Sequence, residues 1–124
     1  MIGFTDEDLQ TYLAEDDGGP VGMMNLLRFA PDGGAAKYVD YVQRFGSSGI
    51  NERYGVELLY GGSGTTALVA EPGQSWDLVA LVRYPSRQHF VDMVHDPAYQ
   101  AFEHLRTEAL VEAVLQPTVP VPGT

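Results

Sequence analysis

Three observations predict an α+β fold whose four-stranded antiparallel sheet carries helices on one face and a second copy of the chain on the other. The segment from Trp76 to Ser86 reads as a strand that is apolar on both sides, with Leu78, Ala80 and Val82 pointing one way and Val79 and Leu81 the other. The element pattern along the chain is helix, β, α, β, β, α, β; without the leading helix it is the split, ferredoxin-like arrangement. At 124 residues and 44% hydrophobic composition the chain suits one domain, long enough to bury roughly two-thirds of its unfolded surface. Helices in so small a chain cover one sheet face. Four strands about 4.8 Å apart and roughly 18 Å long leave the other face bare over ~350 Å². That is at the limit of what a monomer exposes, and a two-fold pairing of such faces removes it from water.

Each element has a local cause. Thr5 followed by Asp8 is a capping pair, and Leu9, Tyr12 and Leu13 form one apolar stripe, which predicts a short helix over 6–15. Asp17-Gly18-Gly19-Pro20 ends it. Val21 to Phe29 is the first strand, with Met23, Asn25, Leu27 and Phe29 on one face and Met24, Leu26 and Arg28 on the other. Tyr38, Tyr41, Val42 and Phe45 recur at helical spacing and predict a helix over 35–46, with a further turn near 51–54. Val56 to Tyr60 begins the second strand. Gly61-Gly62-Ser63-Gly64 is expected to interrupt it as a bulge or bend, and 65–71 to continue it or to start a partner strand. After the Pro72-Gly73 turn comes the two-faced strand.

Ser86 is a good cap for a helix carrying Phe90, Met93 and Val94. Asp96-Pro97 restarts the chain, with Ala98, Phe102, Leu105 and Ala109 on the buried side. Val111 to Gln116 is the last strand, and the proline-rich stretch from Pro117 onward reads as extended or disordered. The domain reading is therefore an N-terminal helix and linker (1–19), a ferredoxin-like domain (20–117) and an extended tail (118–124), without repeats.

Composition narrows the partners. Seven Lys and Arg against 17 Asp and Glu give a charge of −10, which repels a phosphate backbone and an anionic membrane surface. No nucleic acid and no membrane are expected; the expected partners are a second copy of the chain and a small-molecule ligand. With no cysteine, disulfides, thiolate metal sites and cysteine nucleophiles are excluded. The acidic opening is unlike a signal peptide and no apolar run is long enough to cross a bilayer, so a cytoplasmic protein is expected.

Met24-Asn25-Leu26-Leu27-Arg28-Phe29, the Tyr38/Tyr41 helix, Gly61-Gly62, Trp76-Asp77, Tyr84-Pro85-Ser86 with Phe90, Asp96-Pro97-Ala98-Tyr99 and Arg106 follow one another over roughly residues 20–117. In that succession they resemble the domain-of-unknown-function 1330 family. The resemblance implies a dimeric α+β barrel fold and no established reaction; the leading helix is an addition to it. Relatives by fold include cofactor-independent monooxygenases, small isomerases and haem-binding or haem-degrading proteins, but fold does not fix function.

Seven residues are candidates for binding a ligand: Asn25, Arg28, Tyr38, Tyr41, Arg83, His95 and Tyr99. Asn25 sits among apolar strand neighbours, and a buried amide must bond either to backbone or to a ligand. Arg28 and Arg83, near strand ends, suit a carboxylate or carbonyl oxygen; the alternative is pairing with Asp77 or Glu57 at the sheet edge. Tyrosines offer a phenol donor on a ring that packs in the core. His89, His95 and His104 titrate near neutrality, but their spacing matches no helical metal pair, and His95 also suits a helix C-terminus. No metal and no cofactor are expected. No phosphate-binding loop, nucleophile elbow or zinc-protease motif is present. Three functions stay open: a small-molecule-binding protein or cofactor-free enzyme acting on a carbonyl, carboxylate or aromatic compound, a non-catalytic sensor or accessory module, and a haem protein by analogy of fold.

Overall fold

The computed structural model describes residues 2–123; Met1 and Thr124, the outermost residues of the expected N-terminal unit and C-terminal tail, lie outside them. The elements are α1 (Asp6–Ala14), β1 (Val21–Phe29), α2 (Gly34–Ser47), α3 (Ile50–Tyr54), β2 (Glu57–Ser63), β3 (Leu78–Tyr84), α4 (Arg87–His95), α5 (Pro97–Gln100), α6 (Glu103–Ala109) and β4 (Leu110–Thr118). The strands form one antiparallel sheet in the order β2-β3-β1-β4. This is the ferredoxin-like α+β fold that the sequence predicts. Among the described residues no helix is long and apolar enough to cross a membrane.

The helix starts follow from their caps. Thr5 accepts a bond from the Asp8 amide at 3.1 Å while the Asp8 carboxylate accepts from the Thr5 amide at 2.8 Å, closing the capping box of α1. Ser86 accepts from the His89 amide at 3.2 Å and starts α4. Asp96 ends α4, caps α5 through the Ala98 amide at 2.8 Å, and also binds the Tyr54 hydroxyl at 2.6 Å and the Arg53 guanidinium of α3.

Those partners, the Tyr54 hydrogen bond first, then the Ala98 amide and Arg53, hold the Asp96 carboxyl below its ordinary value of 3.8. A carboxylate depressed by folding contributes stability that is complete above its unfolded pKa and lost as pH falls through the folded one. Asp96→Asn is therefore expected to lower Tm at neutral pH and to flatten the loss of Tm below about pH 4, the ordinary carboxylate range. A Tm-versus-pH series of the two proteins checks this; parallel acid limbs would refute it.

Alternation along β1 separates two environments. Val21, Met23, Asn25 and Leu27 are buried under the helices, while Gly22, Met24, Leu26 and Arg28 are half-buried on the other face. Met23 and Leu27, with Ile50 from α3, are among the most deeply buried side chains, and each contributes about 1.5–3 kcal/mol through burial. On the open face Tyr60, Leu81, Met24 and Gln116 make one row across the sheet, and Gly62, Val79, Leu26 and Val114 make the next. Arg28 pairs with Glu112 beside the second row, and Arg83 stands opposite Glu57 beside the first.

Helices α2 and α6 run antiparallel and very close. The Phe102 ring packs on Tyr41 at 5.8 Å and on Phe45 at 6.2 Å. Lys37 pairs with Glu108 at 3.1 Å. At the far end a Cβ on Gly34 would lie 2.5 Å from the Ala109 carbonyl oxygen, so only glycine fits there.

Three expected elements differ. Strand β2 passes straight through Gly61-Gly62 to Ser63, and the irregularity falls earlier, as a register shift between Leu58 and Tyr60. Residues 65–71 form no strand, and Leu68 and Val69 are almost fully exposed. At the other end, β4 continues through Pro117, paired with Met23, to Thr118. An edge strand tolerates proline because half of its amide groups have no strand to bond.

Candidate functional site

The row Gly61, Ala80, Asn25 crosses the helix-side face of β2, β3 and β1. Two very small side chains in one row leave a floor that the α2 side chains do not reach. The space between is a cleft of about 410 Å³, within the usual size of small-molecule sites. Tyr38, Tyr41, Val42 and Phe45 of α2 form its roof, Leu78, Val82, Tyr84 and Leu58 its walls, and Asn51 and Val56 close one end. Leu58 and Val42, 65% and 52% exposed, mark its mouth.

Apart from three phenols, no lining side chain is ionisable. Asn25, 9% exposed, makes one long bond from its amide nitrogen to the Met23 carbonyl at 3.3 Å, which leaves the rest of the amide to the cleft. The Tyr41 hydroxyl bonds to that of Tyr99 at 3.0 Å. The hydroxyls of Tyr38 and Tyr84 have no bonded partner among the described residues. Burial raises the Tyr38, Tyr84 and Tyr99 phenols, and Tyr41, with Tyr99 beside it, is raised well above the ordinary 10.0. All four stay protonated at physiological pH. They are hydrogen-bond donors and not bases, suited to a carbonyl or to a negatively charged oxygen.

Of the seven candidate residues, the structure brings Asn25, Tyr38 and Tyr41 together in the cleft, with Tyr99 directly behind Tyr41. Arg28 and Arg83 project from the opposite face of the sheet, because both alternate out of phase with Asn25 and Ala80. Arg28 is occupied there by Glu112 and by the Gly73 carbonyl at 3.1 Å. His95 lies at the exposed end of α4, 3.3 Å from Asp6. His89 and His104 are also exposed, so no histidine lines the cleft. Among the described residues no cluster of acidic and histidine side chains could hold a metal ion.

Three residues outside the candidate set matter. Gly61 supplies floor space, Tyr84 an unbonded phenol, and Arg106 of α6 a buried charge behind the roof. Arg106 is 9% exposed and donates to the Ile2 carbonyl at 3.1 Å. Its place in the stripe Phe102, Leu105, Arg106, Ala109 is the signal in the sequence that would have found it: an arginine on the buried side of a helix. A second cavity of about 380 Å³, between the N-terminal segment, α1 and β4, is walled mainly by apolar side chains such as Phe4, Leu9, Phe90 and Leu115.

Fold and cleft together define a ferredoxin-like α+β protein with a half-open aromatic cleft under its first long helix. The structures of the Rhodopseudomonas palustris protein RPA0582, a protein of unknown function, are similar along almost the whole chain. The methylated form is 31% identical over 100% of this chain and 98% of that one, with a TM-score of 0.88. A second RPA0582 structure is 31% identical over 97% and 96%, with a TM-score of 0.86. The chain belongs to the family of RPA0582. Hydroxynitrile lyase from Passiflora edulis shares the fold at 11% identity, over 86% of this chain and 98% of that one, with a TM-score of 0.65. A dimeric ferredoxin-like protein of unknown function from Thermobifida fusca shares it at 12% identity over 84% and 93%, with a TM-score of 0.56. No protein-family model matches the chain, and no curated protein matches it.

Proposed function

We propose that this chain is a small-molecule-binding protein of the dimeric α+β barrel type and a member of the domain-of-unknown-function 1330 family. Its ligand is a small aromatic or carbonyl compound held in the cleft between α2 and the sheet. The observation that carries this reading is the cleft itself. It is a concave site with an aromatic roof, a floor of glycine and alanine, and a few convergent polar groups, Asn25, Tyr38 and Tyr84. Tyr41 shapes the roof, and Tyr99 fixes Tyr41 by its hydrogen bond. The protein acts as a homodimer through the open face, where the rows centred on Leu81 and Val79 give an apolar surface flanked by charges of both signs.

A thermal-shift series with neutral aromatic carbonyls, acetophenone and 1,4-naphthoquinone among them, examines the cleft directly. A compound present at about 100 times its Kd adds roughly 2.7 kcal/mol to folding stability, several degrees for a domain of this size. The expected result is a rise in Tm that Tyr38→Phe and Asn25→Ala reduce. No rise with any aromatic compound would remove the reading.

A further inference from the structure

Arg106 is the one buried cation, among the described residues, whose charge nothing on the protein answers. Its Nη1 donates to the Ile2 carbonyl, while its Nη2 is enclosed with no acceptor at all. No carboxylate forms an ion pair with it among the described residues, although the chain carries 17 acidic side chains; Glu103, one turn earlier on α6, does not pair with it. A buried charge without a partner is strongly unfavourable, so its retention calls for an anion that arrives from outside.

The helix register says where that anion would sit. Gly34 opposes Ala109 and Tyr41 opposes Phe102 along the antiparallel α2/α6 pair, so Arg106 comes level with Tyr38. Tyr38 and Tyr84 line the cleft, and their hydroxyls have no bonded partner among the described residues, while Arg106 itself is not part of the lining. The charge is felt through that layer: Arg106 opposes the upward shift of the Tyr38, Tyr41, Tyr84 and Tyr99 phenols, whereas Glu103 acts on Tyr99 in the contrary sense.

We propose that the cleft takes an aromatic ligand in its oxyanion form, a phenolate or an enolate conjugated to the ring. Its negative oxygen accepts from Tyr38 and Tyr84, and Arg106, set behind the phenols, balances its charge. Arg106 is a positioning residue on this account, since it reaches the ligand only through the tyrosines. The inference rests on the cleft being the binding site and adds to it the charge state of what binds.

4-Nitrophenol, whose absorbance distinguishes phenol from phenolate, reads this out, with 4-nitroanisole as a neutral probe of the same shape. The expected result is that 4-nitrophenol bound to the protein ionises at lower pH than free 4-nitrophenol, by about a unit or more, a tenfold preference for the anion. Arg106→Met is expected to abolish the displacement and Arg106→Lys to keep most of it, with circular dichroism reporting the fold of each. If bound 4-nitrophenol ionises at or above its free value, or if a folded Arg106→Met retains the displacement, the oxyanion assignment is overturned. The wild-type titration decides alone should Arg106→Met fail to fold. If 4-nitroanisole binds while 4-nitrophenol enters only in its neutral form, the cleft stands and the assignment falls. If neither compound binds, both fall.

Discussion

Leu81→Asp is expected to turn the proposed dimer into a folded monomer. Leu81 lies at the centre of the open face, opposite Met24 on one side and Tyr60 on the other, with the Val79–Leu26 row alongside. Tyr60, 62% exposed in the single chain, is the largest side chain this face offers to a partner. Two-fold pairing of the faces brings both copies of residue 81 close to the axis, so one substitution places two carboxylates in one apolar interface. An unpaired charge there costs several kcal/mol. The dimer constant is expected to weaken by about a thousandfold or more, since each 1.4 kcal/mol is a factor of ten. The folded chain is spared, because in the monomer the introduced carboxylate faces water and the helix-side core is untouched. Sedimentation velocity at fixed micromolar concentration, with circular dichroism as the check on folding, reads both effects. A wild-type protein that sediments as a monomer, or a variant that stays dimeric, removes the face-to-face assembly.

The second large effect is expected from Gly61→Val, which should close the cleft without harming the fold. A Cβ at Gly61 meets only Leu58 Cδ2, at 3.9 Å, and the backbone there does not need the left-handed region that favours glycine. The added side chain points along the row shared with Ala80 and Asn25, into the space a ligand would fill. Valine suits a strand and glycine weakens one, so stability is expected to hold or to rise by up to about 1 kcal/mol. Affinity for any compound bound in the cleft should fall by about five- to a hundredfold, as overpacking a filled site costs roughly 1–3 kcal/mol. Isothermal calorimetry on an aromatic compound that stabilises the wild type measures this. Unchanged affinity in the variant would place the ligand elsewhere, and the apolar cavity under α1 would be the next site to probe.

Much of the fold was legible because it rests on local rules. Alternation separated the two faces of β1 and β3, and Thr5, Ser86 and Asp96 announced three helix starts that the structure keeps. The failures lie where the outcome depends on neighbours distant in sequence. Whether Pro117 could be in a strand turned on β4 lying at an edge of the sheet. Gly61-Gly62 carries the same local signal as a bulge, yet the bulge falls one step earlier and Gly61 makes room for the cleft. The site was only half legible for a similar reason. Asn25, Tyr38 and Tyr41 share a buried side that periodicity reveals. Arg28 was readable as a strand-end arginine, but its partner Glu112 is chosen by the β1–β4 register. The isolation of Arg106 follows only from knowing what every acidic side chain does instead.

The two margins of the sheet carry a further consequence. On one side the shift at Leu58/Tyr60 throws β2 out of regular pairing, and on the other Pro117 removes an amide from β4. Both features make their borders poorer templates for another extended chain. Lateral accretion, the route by which exposed strands seed fibres, is thereby disfavoured at both ends. What remains is the open sheet face, and the two-fold pairing proposed for it closes on itself, so assembly through it would be self-limiting.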